Sequence, residues 1–426
     1  MAAPAPALRK HPQRQPVRLW HMWSGEWKEV VEGIVADYNR SQDKYEVVAL
    51  SLPSSAETKL QMGMAGGDPP DLMVEWNPIL PTWAEAGLLQ PLDELMTPEE
   101  RARFEREAFP IVKRLGGYRG KVYGLPVGLN LAACYARKDF LREAGVDPET
   151  WVPKTLEELV EVGKRLDKFD KDGQLVRIGF NPPGFRSVAP AFGGGFYDWK
   201  SNSGGILIDT PENLRAMETV VALRKRLGFD NIVRFQSAMG NDFGGAWAFI
   251  QGAYGITIDG QWRVEQLRKY APQVPYRVFP LPPPRDGKAL AQMTGGNFVV
   301  MPKSAKNREG AWHFVKWWNG LADPNTAAKP FAVMAQMPPS TGVAGSDFYT
   351  SYLKENPEFA KFVAMLPSPN IQPLPPVAIQ QFLYDKLSAA EDAALRGSMS
   401  PSAALKRAAA QVAEETARRR KLGYRE

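Results

Sequence analysis

The chain has 426 residues, 44% of them hydrophobic and 23% charged. That length exceeds one ordinary core and points to two lobes, and the composition excludes a chain disordered throughout. The 53 basic residues barely outnumber the 47 acidic ones, for a net charge of +6. The main basic cluster, Arg418-Arg419-Arg420-Lys421, reads as a solvated helix end. With no continuous basic surface, no nucleic-acid partner is expected. The single cysteine, Cys134, excludes an intrachain disulfide and, in its apolar setting, reads as a buried small hydrophobe. His11, His21 and His313 are too scattered for a metal site, so neither metal nor cofactor is expected. No apolar run reaches the roughly 18 residues a membrane span needs.

Residues 1–16, rich in Ala, Pro and Arg, lack the apolar core of a secretory signal and read as a disordered tail. From Val17 to Trp23 the chain reads as a strand buried on both faces, broken by Ser24 and Gly25. Ser24 can cap a helix whose apolar stripe is Trp27, Val30, Val31, Ile34, Val35 and Tyr38. A second strand over 45–52, a helix through Leu60, Met62 and Met64, and a third strand over 71–76 complete a βαβαβ run, the rhythm of a parallel sheet. In such sheets a ligand crevice lies beyond the carboxyl ends of the strands.

A second unit of this kind follows. Thr155 caps an amphipathic helix to Leu166, and Thr210-Pro211-Glu212 opens another. Asp170 to Gly173 matches part of a calcium loop without its downstream glutamate and reads as a turn. Residues 253–259 form an apolar strand ending at Gly260-Gln261-Trp262, which places Trp262 in a strand-end loop. Residues 297–301 form a strand and 306–319 a helix, 367–376 are irregular, and helices close the chain over 377–396 and 401–420.

Several segments resemble, in order, the extracellular solute-binding proteins of carbohydrate ABC importers, the maltose-binding-protein-like family. They are Gly67-Asp68-Pro69-Pro70-Asp71, Gly87-Leu88-Leu89-Gln90-Pro91-Leu92, Gly120-Lys121-Val122-Tyr123-Gly124-Leu125-Pro126, Tyr135 with Arg137-Lys138-Asp139-Phe140, Ala144-Gly145-Val146-Asp147-Pro148 with residues 151–159, residues 255–262, and residues 295–307. The resemblance implies an α/β, two-lobed periplasmic-binding-protein fold, each lobe a mainly parallel sheet flanked by helices, with the ligand cleft between lobes. The lobes are expected at 17–126 plus 295–340 and at 127–294 plus 341–426. It also implies a carbohydrate ligand, delivery to the membrane permease of an ABC importer, a monomer, no catalysis, and a periplasmic or extracellular location. The cysteine that would carry a lipid anchor at the mature start is missing from this sequence, which leaves attachment open.

A sugar site must satisfy hydroxyls with polar groups and cover C–H faces with flat apolar surface. At strand ends of the first lobe, Trp23 and Glu26, Ser54, and Glu75 and Trp76 are candidates, the last two by resemblance. Asp71, at the strand's entry, reads as structural. Asn130 stands where the family often places a carboxylate. The glycine-rich loop 193–199, read as flexible, offers Tyr197 and Trp199. Trp262 is the leading aromatic candidate, and Gly295, Gly296 and Asn297 follow by resemblance, Asn297 replacing a ring. Two alternatives are open. One is a phosphorylated polyol such as glycerol 3-phosphate, met by Arg186 or Arg263; the other is a glycoside hydrolase using Glu26 and Glu75 as paired carboxylates.

Overall fold

The structure, a computed structural model, describes residues 13–52, 68–76, 79–199, 205–239 and 244–422. Among the described residues thirteen strands run in chain order: β1 Gln15–His21, β2 Tyr45–Ser51, β3 Leu72–Trp76, β4 Gly117–Tyr118, β5 Lys121–Val122, β6 Gly124–Asn130, β7 Ala132–Arg137, β8 Lys168–Phe169, β9 Leu175–Phe180, β10 Tyr254–Gly260, β11 Tyr276–Phe279, β12 Gln292–Val300 and β13 Ile371–Pro373. The chain divides into two compact units. Unit 1 is Met1–Leu129, Gly295–Glu355 and Pro376–Gln380; unit 2 is Asn130–Thr294, Asn356–Pro375 and Gln381–Glu426.

In unit 1, β1 lies parallel between β2 and β3, and β12 joins β3 antiparallel. Val17 and Leu19 of β1 and Leu72, Met73 and Val74 of β3 are fully buried. The helix Gly25–Ser41 buries Val31, Ile34, Val35 and Tyr38. Tyr38 packs edge-on against Phe314, 4.8 Å between ring centroids, and its hydroxyl meets His313 Nδ1 at 2.9 Å. Three readings change here. β1 begins at Gln15, inside the segment expected to be a tail, and only one of its faces is fully buried. Trp27 is half-buried rather than core, and Ser24 holds the N-cap position without a side-chain bond. Residues 341–355, assigned from the sequence to the second lobe, belong to unit 1, where the Tyr349 hydroxyl donates to the Gln336 carbonyl at 2.7 Å. The helix through Leu60, Met62 and Met64 lies outside the described residues.

Asp71 fastens unit 1. One carboxylate oxygen accepts the Arg18 main-chain N–H of β1 at 2.8 Å. The other accepts the N–H groups of Lys306 and Asn307, at 3.0 and 2.9 Å, where the helix Arg308–Asn319 begins. Asp71 itself donates its N–H to the Arg18 carbonyl at 2.9 Å.

In unit 2 the strand order is β11-β7-β10-β9-β8. Only β9 and β10 pair in parallel; β7 runs antiparallel to both β10 and β11, and β8 to β9. A mainly parallel sheet was expected, and unit 2 is mixed. The reason is local: β7 starts two residues after the chain enters the unit at Asn130, so it runs away from the edge toward which β9, β10 and β11 run. Thr155 and Thr210 cap their helices as expected, accepting from the Glu158 and Asn213 N–H groups. The helix Leu156–Leu166 lies so close to β9 that a Cβ on Gly179 would sit 1.9 Å from the Gly163 carbonyl oxygen. Tyr135, fully buried, donates its hydroxyl to the Gly260 carbonyl at 2.7 Å. Cys134 is fully buried, and burial pushes its thiol pKa up, so no thiolate is available near neutral pH. The irregular 367–376 segment contains β13, which pairs with Gln292–Thr294 of β12.

Asp71→Ala leaves three part-buried N–H groups without their carboxylate acceptor, each costing up to about 1–3 kcal/mol. We expect a loss of about 3–5 kcal/mol in denaturant unfolding; a loss below about 1 kcal/mol would show that water replaces the carboxylate there.

Candidate functional site

In unit 1 the parallel strands β1, β2 and β3 deliver their carboxyl ends, His21, Ser51 and Trp76, to one edge of the sheet. Because β12 runs the other way, its Gly295, Gly296 and Asn297 arrive at that same edge. Asn297 stands directly opposite Trp76, and Phe298 opposite Glu75. Gly295 and Gly296 are buried; Glu75, Trp76 and Asn297 are half-buried. Asn297 Oδ1 is buried and finds no hydrogen-bond partner among the described residues. Trp23 follows β1 with its ring 5.9 Å from that of His21, and its carbonyl accepts the Ser51 hydroxyl at 2.5 Å. Glu26 is exposed in the first turn of the next helix. The edge thus gathers Trp23, Glu26, Glu75, Trp76 and residues 295–297 of β12, which continue the strand rather than turn before it; Ser54 lies outside the described residues.

In unit 2 the corresponding edge is made by the carboxyl ends of β9 and β10 and the amino end of β7, since Gly260 pairs with Ala132. Trp262 does not lie in a loop as expected. It is the first residue of the helix Trp262–Tyr270, which starts directly after the strand. Its ring folds back over the Gly260 α-carbon: a Cβ there would lie 2.0 to 2.4 Å from the ring atoms. Only glycine admits the ring in that position. Gln261 is fully buried and its side-chain oxygen accepts the Leu131 N–H at 3.1 Å, tying the start of β7 to the turn. Asn130 is half-buried at the entry to β7, and its carbonyl accepts the Thr294 hydroxyl.

The loop 193–199 is more constrained than its glycines suggested. The Asn213 amide grips both the N–H and the C=O of Gly195 at 2.9 Å and also reaches the Ile208 carbonyl at 3.0 Å. Gln372 of β13 donates to the Gly194 carbonyl at 3.0 Å. Tyr197 and Trp199 pack edge-on, 4.8 Å between centroids, so they form one aromatic group.

Two contributors escaped the sequence reading. Asn181, just past β9, donates to the Thr257 hydroxyl at 3.2 Å, while its Oδ1 is buried with no partner among the described residues. A polar residue directly after the apolar run 175–180 was the available signal. Gly260 was read as the end of a strand and as part of the family-like spacing over residues 255–262, but not as the bed of the Trp262 ring, which its lack of a side chain provides.

Of the two cations named for a phosphate, Arg263 is paired, while Arg186 keeps a buried Nη1 with no hydrogen-bond partner among the described residues. Arg263 pairs with Asp259 at 2.8 Å, donates to Gln266 at 2.8 Å and lies 4.5 Å from the Trp247 ring centroid. Arg186 stacks on Tyr384 at 3.6 Å. Among the described residues no group of three or more His, Cys, Asp or Glu side chains could hold a metal, and no helix is long and apolar enough to cross a membrane. In the Asp170 turn the carboxylate is bonded to the Asp172 and Gln174 N–H groups at 2.9 and 2.8 Å.

These features define a two-unit α/β binding scaffold with its candidate residues on strand-end edges. The family model for bacterial extracellular solute-binding proteins matches residues 33–361, and the chain belongs to that family. A maltotriose-binding protein of Pyrococcus abyssi is 26% identical over 307 residues, covering 71% of this chain; the match spans 62% of that relative's own length. A sn-glycerol-3-phosphate-binding periplasmic protein of Shigella dysenteriae is 22% identical, covering 74% of this chain and 72% of the relative. The solved structure of CpMnBP1 with mannobiose bound superposes with a TM-score of 0.79 at 24% identity, covering 93% of this chain and 99% of the other. The fold is therefore the two-domain periplasmic-binding-protein fold.

Two outcomes follow. Gly260→Ala is expected to expel the Trp262 ring, visible as a changed near-ultraviolet circular dichroism spectrum; an unchanged spectrum would place the ring elsewhere. His21 is buried with neither ring nitrogen bonded among the described residues, and burial first, then the charge of Lys28, lowers its pKa from 6.5 to about 4. The folded protein thus refuses a proton that the unfolded chain accepts. Stability should be insensitive to this group above pH 6.5 and fall as the pH drops toward 4, by roughly 3 kcal/mol at most. In His21→Phe the slope of stability between those pH values should flatten; an unaltered slope would assign the acid sensitivity to other groups.

Proposed function

We propose that this protein captures a short-chain sugar outside the cytoplasmic membrane and hands it to the permease of an ABC importer, acting as a monomer and catalysing nothing. The observation that carries the reading is the same pairing in each unit: an indole at a strand-end edge together with an uncharged, buried amide oxygen that no described residue satisfies. In unit 1 the pair is Trp76 and Asn297; in unit 2 it is Trp262 and Asn181. A buried acceptor without a donor is costly, and a sugar hydroxyl supplies the donor. An indole face covers the C–H surface of a pyranose, with little side-chain entropy to lose. Asn130, Tyr197, Trp199, Trp23, Glu26, Glu75 and Ser54 are assigned as supporting contacts. Relatives that bind maltotriose and mannobiose fit this ligand class.

The phosphorylated polyol is the weaker reading because Arg263, one of the two cations named for it, is paired with Asp259 at 2.8 Å, while Arg186 stacks on Tyr384. The hydrolase reading needs Glu26 and Glu75 to act as an acid–base pair, and Glu26 sits on an exposed helical turn while Glu75 lies in a strand.

Thermal-shift screening against maltose, maltotriose, mannobiose, their monosaccharides and glycerol 3-phosphate tests the ligand class. A ligand at one hundred times its Kd adds about 2.7 kcal/mol of stability. Trp262→Ala should weaken sugar binding roughly thirty-fold to a thousand-fold, the size of an aromatic hot spot, with the unliganded Tm little changed. A large fall in Tm with normal affinity would make Trp262 a packing residue. Stabilisation by glycerol 3-phosphate alone would replace the sugar by the phosphorylated polyol.

A further inference from the structure

Unit 2 holds a cavity of about 40 Å³ with walls that are mostly apolar. Ala132 and Ile258 belong to the sheet, and Val188, Leu290, Met293 and Met365 are among the other apolar lining residues. Its position follows from the register. Gly260 pairs with Ala132 and Ile258 with Cys134, so the side chains of Ala132 and Ile258 project on the face toward which a Cβ of Gly260 would point. That is the face over which the Trp262 ring is folded. The cavity and the ring therefore lie on the same face of the sheet, two residues apart along β10.

Its polar lining offers little to a hydroxyl. The Gln292 amide is bonded to the Ala132 N–H at 2.8 Å and to the Ala132 carbonyl at 3.2 Å. No charged residue lines the space. One wall is also held in a conformation that a leucine rarely takes: Leu290 has φ +52°. Its carbonyl accepts the Ser368 hydroxyl at 2.9 Å, and Asn370 donates to the neighbouring Ala289 carbonyl at 3.0 Å. Side-chain anchors on a strained residue keep this apolar wall in place, as strain does at ligand sites. Ser187 is the other polar side chain on the lining; a space of this size holds more than one water, and these two polar side chains do not supply the two to four partners each water needs, whereas a methyl group fits without them.

We propose that this cavity is a subsite for a methyl group carried by the captured sugar, so that the preferred ligand is a 6-deoxy or O-methyl sugar whose ring lies on Trp262. The inference rests on the sugar-capture reading. Calorimetric titration of the full chain with matched pairs tests it: quinovose with D-glucose, D-fucose with D-galactose, L-rhamnose with L-mannose, and methyl glycosides with their parent sugars. In any pair that binds, the methylated member should bind about three- to fivefold more tightly, the gain from burying one methyl-sized group. Preference within the 6-deoxy pairs assigns the subsite to the C6 methyl, and preference within the glycoside pairs to an O-methyl. Leu290→Gly removes the wall at a backbone conformation glycine favours, and Ser187→Phe adds bulk at an exposed lining position; both should abolish the preference while parent sugars keep their affinity. Equal or tighter binding of every parent sugar would overturn the subsite and leave sugar capture standing. Binding of no sugar at all would overturn both.

Discussion

The carboxylate of Asp71 holds together three pieces of chain that are far apart in sequence. It accepts main-chain N–H groups from β1 and from the residues preceding the helix Arg308–Asn319, while the Asp71 N–H returns a bond to β1. A charged acceptor shared among backbone donors gives stronger bonds than neutral pairs and leaves no room for a slipped register. The alignment of β1 beside β3 places His21 and Trp76 at one edge, and the antiparallel β12 brings Asn297 to the same edge. The geometry of the candidate residues in unit 1 is thus a consequence of a bond made at the opposite end of the strands.

Unit 2 reaches a comparable edge by other means. There Tyr135 and Gln261 pin the turn after β10, one through the Gly260 carbonyl and the other through the Leu131 N–H, and the Asp259 carboxylate accepts the Gly260 N–H at 2.8 Å. The Trp262 ring then has a fixed bed, because the helix begins immediately and the glycine beneath it has no side chain. Rings held before a ligand arrives lose little entropy on binding. The charges nearby are spent on structure. Arg263 is paired with Asp259, and Arg177 donates to both Glu143 carboxylate oxygens, at 3.0 and 2.7 Å. What the edges present is aromatic surface, uncharged amide and the carboxylates of Glu26 and Glu75, groups that can hydrogen-bond a polyol.

The alternation of strand and helix, the caps at Thr155 and Thr210, the structural role of Asp71 and the burial of Cys134 were all legible in the sequence, because each depends on local periodicity or on a residue type with one dominant use. The positions of Trp23, Glu75 and Trp76 at or just past strand ends were legible for the same reason, whereas Asn297, read as the start of a strand, lies inside β12. The orphaned oxygen of Asn181 was not, since an asparagine after a strand reads equally as a turn residue. Nor was the restraint on the 193–199 loop, which comes from Asn213 and Gln372, eighteen and 178 residues from the glycines they hold.

The sequence by itself determined which segments become strands and helices and which residues fall at strand ends, since those follow from neighbours within a few positions. Tertiary structure alone decided the direction of β7, the assignment of residues 341–355 to unit 1, and the start of a helix at Trp262 with its ring over Gly260. Each of these is settled by contacts between segments that local pattern cannot pair. Periodicity marks an apolar face, but which partner covers that face, and from which side the chain arrives to do so, is fixed only when the whole chain packs.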